Sequence, residues 1–162
     1  MNKRKATRLK EYDYAQNGAY FITICSYKMK RVFGTIVGQG LAPAEMKLSK
    51  YGKIAQEQLF LLEERYKTIK IDNFVVMPNH IHIILTIQKT AGASPCPTVS
   101  DVICAYKSLT TIICKKNGYG EEKVFQSSFY DHIIRDEDDY ITKAQYIENN
   151  PAKWFEDKYY NQ

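Results

Sequence analysis

Two of the chain's three histidines stand one residue apart, in the run His80-Ile81-His82-Ile83-Ile84-Leu85-Thr86-Ile87. The β-branched content of this run predicts a strand. Side chains alternate across a strand, so both imidazoles share one face, with Ile81, Ile83, Leu85 and Ile87 on the other. The isoleucine face suits a core. The histidine face must be polar or partly open, because a buried neutral imidazole needs partners. Imidazoles so placed can converge on one metal ion. Taken alone, the pair fits two exposed strand histidines better than a metal site.

A reactive partner stands near the end of the chain. Asp136 is a helix N-cap and Pro151 a stop, which predicts a helix over 136–150. At about 100° per residue, Tyr140, Ala144 and Ile147 form its buried stripe, widened by Ile141. Tyr146 and Asn150, at i and i+4, lie one turn apart on a face beside that stripe. Separately they read as a peripheral core tyrosine and a helix cap. With the histidines they compose a reaction centre: a phenol able to attack a phosphate, and an amide oxygen that joins two imidazoles on a divalent cation.

Other elements must hold these groups in place. Residues 19–27 are β-branched and aromatic and read as a strand, with a shorter one over 32–37 forming a hairpin with it. Ser49 starts a helix on which Ile54, Leu59 or Gln58, Leu62 and Tyr66 share a face. Residues 70–77 and 80–87 are strands with no room for a helix between them. Over 100–116, Val102, Ile103, Tyr106, Leu109 and Ile113 recur at amphipathic spacing, and 123–134 reads as a loop followed by a short strand. The expected fold is α+β, a ferredoxin-like β-α-β-β-α-β sandwich with an antiparallel sheet and a C-terminal catalytic helix. One domain over 1–162 is expected, with residues 1–17 as a basic N-terminal arm.

Composition narrows the partners. A 44% hydrophobic fraction over 162 residues supports a packed core and argues against disorder. The net charge of +5 permits a nucleic-acid partner, and Lys3, Arg4, Lys5, Arg8 and Lys10 concentrate it at the start. The 13 tyrosines are compatible with base stacking as well as with half-buried packing. The four cysteines show no CxxC spacing, and Cys25 and Cys104 read as small buried hydrophobes in a reduced, cytoplasmic chain. No stretch is apolar enough to span a membrane.

The runs Asn73-Phe74-Val75-Val76-Met77-Pro78-Asn79-His80-Ile81-His82, Ala105-Tyr106-Lys107-Ser108-Leu109-Thr110, Asp131-His132-Ile133-Ile134-Arg135 and Tyr146-Ile147-Glu148-Asn149-Asn150-Pro151 carry a family resemblance. Together they resemble the HUH single-tyrosine transposases, and in detail the REP-associated tyrosine transposases, related to transposases of the insertion-sequence 200 type. The resemblance runs from about Gly18 to Trp154. It implies that His80 and His82 bind a divalent metal, Mg²⁺ or Mn²⁺, with Asn150 as third ligand where the insertion-sequence branch usually has glutamine. It implies that Tyr146 is the nucleophile and forms a 5′-phosphotyrosine intermediate with single-stranded or hairpin DNA.

Arg4, Lys5, Arg8, Lys10, Lys107 and Arg135 are the candidate DNA contacts, and Lys107 or Lys143 could favour the phenolate. His132 matches the family pattern, and a structural hydrogen bond accounts for it as well. A cytoplasmic, nucleoid-associated monomer or homodimer is expected. The alternative on the same fold is a domesticated DNA- or RNA-binding protein without the chemistry. A replication initiator or relaxase is disfavoured by the short chain and the single tyrosine on that helix face. A small-molecule metallohydrolase would leave Tyr146 and the basic arm without a purpose.

Overall fold

The computed structural model of the chain describes residues 18–38, 43–88 and 96–160. The basic arm, with Arg4, Lys5, Arg8 and Lys10, lies outside the described residues. In chain order the elements are β1 (Gly18–Cys25), β2 (Gly34–Val37), β3 (Glu45–Leu48), α1 (Lys50–Arg65), β4 (Ile69–Val76), β5 (His80–Ile87), α2 (Val99–Lys116), β6 (Tyr130–Ile134) and α3 (Glu137–Asn149). Strands β4-β5-β1-β6, in that spatial order, make one antiparallel sheet. The order β1-α1-β4-β5-α2-β6 is the expected sandwich, with β2 and β3 inserted before α1 and α3 added at the end.

Each face of the sheet is covered by a different layer. Tyr20, Ile22 and Ile24 of β1 and Ile81, Ile83, Leu85 and Ile87 of β5 point into a core shared with Ile54, Leu59 and Leu62 of α1 and Val102, Ile103 and Tyr106 of α2. The Tyr106 hydroxyl donates to the Ala55 carbonyl at 2.9 Å and ties the two helices together. On the opposite face Phe21 and Ile84 pack against Ile147 of α3. There Cys25 and Met77 also pack against Trp154 and Tyr159 of the segment after α3. Burying both faces of the central strands is what lets β5 carry an almost continuous apolar run, with the histidines as the exception.

Helix ends are fixed as the sequence predicts. Ser49 accepts from the Gly52 amide at 3.0 Å and donates to the Val32 carbonyl at 2.7 Å, so one side chain caps α1 and anchors the preceding segment. Gly52 allows that anchorage, since a Cβ there would lie 2.0 Å from the Phe33 carbonyl oxygen. Thr98 and Asp101 form a capping box on α2, and Asp136 caps α3 by accepting from the Asp139 amide.

Three local expectations are corrected. The strand expected over 32–37 does not pair with β1; β2 pairs with β3 in a separate two-stranded sheet. Both edges of β1 are already taken, by β5 and β6, so no ladder remains for it. Cys104 is exposed, and Cys114 on the same helix is buried in its place, because α2 turns Cys114 toward the core. Ile141 stays 44% exposed, outside the narrow stripe that α3 buries.

Candidate functional site

Strand alternation sends His80 and His82 to the face away from α1 and α2, where α3 and the C-terminal segment bury them completely. Their rings are 4.6 Å apart, centre to centre. Each Nδ1 is tied to a neighbouring oxygen. The Asn79 amide donates through Nδ2 to the Tyr159 carbonyl at 2.8 Å, which turns its Oδ1 toward His80 Nδ1, also at 2.8 Å. An amide oxygen only accepts, so His80 carries its proton on Nδ1 and keeps the Nε2 lone pair. Thr23, the cross-strand partner of His82 in β1, places its hydroxyl 2.8 Å from His82 Nδ1. The same tautomer follows there when the hydroxyl accepts.

Both Nε2 atoms therefore face inward. They are buried without a hydrogen bond of good geometry, and so is Asn150 Oδ1. Orphaned lone pairs in the interior are costly. Asp157 joins them: its side chain is 4% exposed and Oδ2 lies 3.9 Å from His80 Nε2, while Oδ1 accepts from the Tyr159 amide at 2.9 Å. The donor atoms of His80, His82 and Asp157 all fall within 4.8 Å of one another. Two imidazole nitrogens and a carboxylate oxygen so close together fit a divalent cation, which would satisfy both orphaned imidazole nitrogens at once.

The protonation states agree with that use. Burial pushes His80 down to about 3, with the Asn150 amide pulling the other way and Lys158 adding to the fall. Burial likewise holds His82 well below the ordinary imidazole range, aided by His80, Lys158 and Lys143. Both rings are neutral and ligand-competent at neutral pH. Burial raises the Asp157 carboxyl above its usual range.

Tyr146 stands beside this centre, 38% exposed on α3, its ring 5.1 Å from that of His82 and 6.0 Å from that of Phe21. Its phenol is raised above the ordinary tyrosine value by burial first and the Asp157 charge second, while a hydrogen bond with Asn150 opposes them. Asn150 caps the end of α3, its amide Nδ2 donating to the Tyr146 carbonyl at 3.3 Å. Tyr146, His82 and Asp157 line a cleft of about 460 Å³ with Phe21, Thr23, Lys143, Lys153 and Lys158 among its walls.

The structure thus brings His80, His82, Tyr146 and Asn150 together. It does not bring Lys107 or Arg135 to them. Lys107 lies on α2, in the other layer, and donates to the Gln126 and Ser128 carbonyls. Arg135 is exposed just beyond β6, at the end of the sheet away from Thr23. His132 pairs with Asp139 at 2.7 Å, a contact that fastens β6 to the start of α3. Of the two lysines considered for phenolate support, Lys143 lines the cleft.

Asp157 is the residue that sequence reasoning missed. It sits in Phe155-Glu156-Asp157-Lys158, a polar stretch with nothing to set it apart from a solvated tail. Its position is secured by Arg31, whose guanidinium lies 5.5 Å from the Trp154 ring and 4.9 Å from the Tyr160 ring and donates to the Tyr160 carbonyl at 3.0 Å. Replacing Thr23 by valine, which keeps the shape and removes the oxygen, is expected to weaken Mn²⁺ binding roughly 10- to 100-fold. Calorimetric titration checks this, and unchanged affinity would show that His82 needs no orienting partner.

The fold is shared with a solved REP-associated tyrosine transposase bound to a REP hairpin, at a TM-score of 0.64 and 21% identity over 90% of this chain and 74% of that one. The chain is also 32% identical to an uncharacterized protein of Haemophilus influenzae, over 99% of this chain and 94% of the other, and belongs to one family with it. A crystal structure of a candidate transposase from Deinococcus radiodurans aligns at a TM-score of 0.47 and 16% identity over 88% of this chain and 97% of that one, too far to bear on the argument. No family model matches the sequence. Among the described residues no helix is long and apolar enough to cross a membrane.

Proposed function

We propose that the protein is a metal-dependent HUH single-tyrosine transposase, which nicks and rejoins single-stranded, hairpin-flanked DNA through a 5′-phosphotyrosine. The observation that carries this is the placement of a partly exposed phenol, Tyr146, beside three buried orphan donors, His80 Nε2, His82 Nε2 and Asn150 Oδ1. His80, His82, Asn150 and Asp157 are the proposed ligands. A bound Mg²⁺ or Mn²⁺ supplies Lewis-acid polarisation of the scissile phosphate.

The chain's own groups do the rest. Tyr146 Oη attacks phosphorus, the new P–O bond forms, and the bond to the 3′ oxygen breaks; the phenol proton leaves through the open side of the cleft and the 3′ oxygen takes up a proton. Attack by a second 3′-hydroxyl runs the step backward without ATP. Lys143, in the wall of the same cleft, is proposed to favour the phenolate, and Arg4, Lys5, Arg8, Lys10, Lys107 and Arg135 are proposed to hold backbone phosphates away from the centre.

Mixing the protein with hairpin DNA bearing a single-stranded tail, in Mn²⁺ or Mg²⁺, is expected to give a covalent protein–DNA band on a denaturing gel that a chelator prevents. A protein that binds the hairpin tightly and never forms the band would instead be a DNA-binding protein that has lost its chemistry.

A further inference from the structure

The cleft at Tyr146 does not end at β5. A second hollow of about 440 Å³ shares Phe21, Thr23, Lys143, Lys158 and Tyr159 with it and runs on to Tyr130 and His132 of β6. The topology explains the opening. Strand β6 is an edge, and α3 packs chiefly over β4 and β5, reaching the half of that face formed by β1 and β6 through Lys143 above Phe21 and Asp139 beside His132. Tyr130 and Thr23 are directly paired across the β1–β6 ladder, so their side chains stand on the same face as His82.

Tyr130 is the unusual member. It is 50% exposed, on a face where Phe21 is nearly buried under Lys143 and stacked on His82. Half-exposure of a large aromatic ring is not needed for the core, and none of the described ring–ring contacts involves Tyr130. Lys143 and Lys158 flank the path between Tyr130 and Tyr146 and offer it two cations, with Asp131 and Glu156 also in its walls and Asp157, at its inner end, in the proposed ligand set. Adjacent strands lie about 4.8 Å apart, so β6 is roughly 10 Å from β5, room for the sugar and base of a flanking nucleotide.

We propose that Tyr130 is a stacking platform for the base next to the scissile phosphate, with Lys143 and Lys158 holding the adjoining backbone. The occupant is single-stranded DNA rather than duplex, since stacking on Tyr130 requires an unpaired base face. This rests on the DNA-nicking reading above and adds a positioning residue to it.

Binding is measured apart from chemistry, in chelator, by fluorescence anisotropy. The probes are a DNA hairpin carrying an oligothymidine tail and the same hairpin blunt-ended. Tyr130→Ala is expected to weaken binding of the tailed probe roughly 5- to 100-fold and leave the blunt probe unchanged, while Tyr130→Phe binds both like the wild type. A tail carrying 2-aminopurine beside the junction is quenched by the wild type and by Tyr130→Phe, and not by Tyr130→Ala. Tyr130→Ala binding the tailed probe as tightly as the wild type overturns the platform while leaving the nicking reading intact, because wild-type adduct formation is scored separately. An equal loss on both probes overturns it too, since the residue would then act on the fold or the hairpin. Wild-type protein indifferent to the tail overturns the platform, and a wild type that also forms no adduct overturns the nicking reading with it.

Discussion

Tyr146→Phe is expected to lower the proposed strand cleavage by a factor on the order of 10⁴ or more, with hairpin binding unchanged, when single-turnover cleavage and anisotropy are followed side by side. Phenylalanine keeps the ring that packs edge-on against His82 and Phe21, and the position is partly exposed, so the fold has little to lose. What disappears is one oxygen, and with it the covalent band. The companion variant is Tyr159→Phe. Tyr159 also lies on the histidines, its ring 4.3 Å from that of His80, and burial raises its phenol strongly. A nearly buried phenol of that kind is poorly placed to reach a phosphate, and Tyr159→Phe is expected to retain the adduct. If the adduct survives Tyr146→Phe and is lost in Tyr159→Phe, the nucleophile has been misassigned. The proposed metal would act on the same phenol: burial first and the Asp157 charge second work against ionising Tyr146, and a cation held by Asp157 would cancel the second.

The second large effect concerns stability in the metal-free protein. An imidazole whose folded value is depressed takes up its proton more readily when unfolded, so falling pH favours unfolding. For His80 the window runs from 6.5 down to about 3; His82 moves in the same direction for the same reason. At about 1.4 kcal/mol per unit, lowering the pH from 6.5 to about 5 removes on the order of 2 kcal/mol through His80, and His82 adds to the loss in the same direction. Asp157 has the opposite sign: its raised carboxyl binds its proton more readily when folded, so falling pH through the carboxylate range returns some stability. Thermal unfolding in chelator across this range should therefore show a steep loss below pH 6.5, removed in His80→Gln/His82→Gln. A flat profile would mean that the histidines are solvated.

Much of this was legible beforehand because it rests on short-range rules. The β5 run and its two-residue period fixed which residues share a face, Ser49 and Asp136 marked helix starts, and Tyr146 with Asn150 followed from one helical turn. The partner of β2 was not legible, since a strand's choice of neighbour depends on which edges other segments have already filled. Asp157 was hidden for a similar reason. Its place is set by Arg31 between Trp154 and Tyr160, a contact spanning most of the chain, and no local period announces it.

That clasp by Arg31 gives the centre a schedule. The ribosome delivers the chain from its start, so β1, β5 and Tyr146 all emerge before the segment that carries Asp157. Until Trp154 and Tyr160 have closed on Arg31, the two histidines would lack the carboxylate of the candidate site. Completion of the candidate metal site is therefore tied to the segment after Pro151, and a chain broken off shortly after Pro151 would keep its tyrosine and both imidazoles without closing the site.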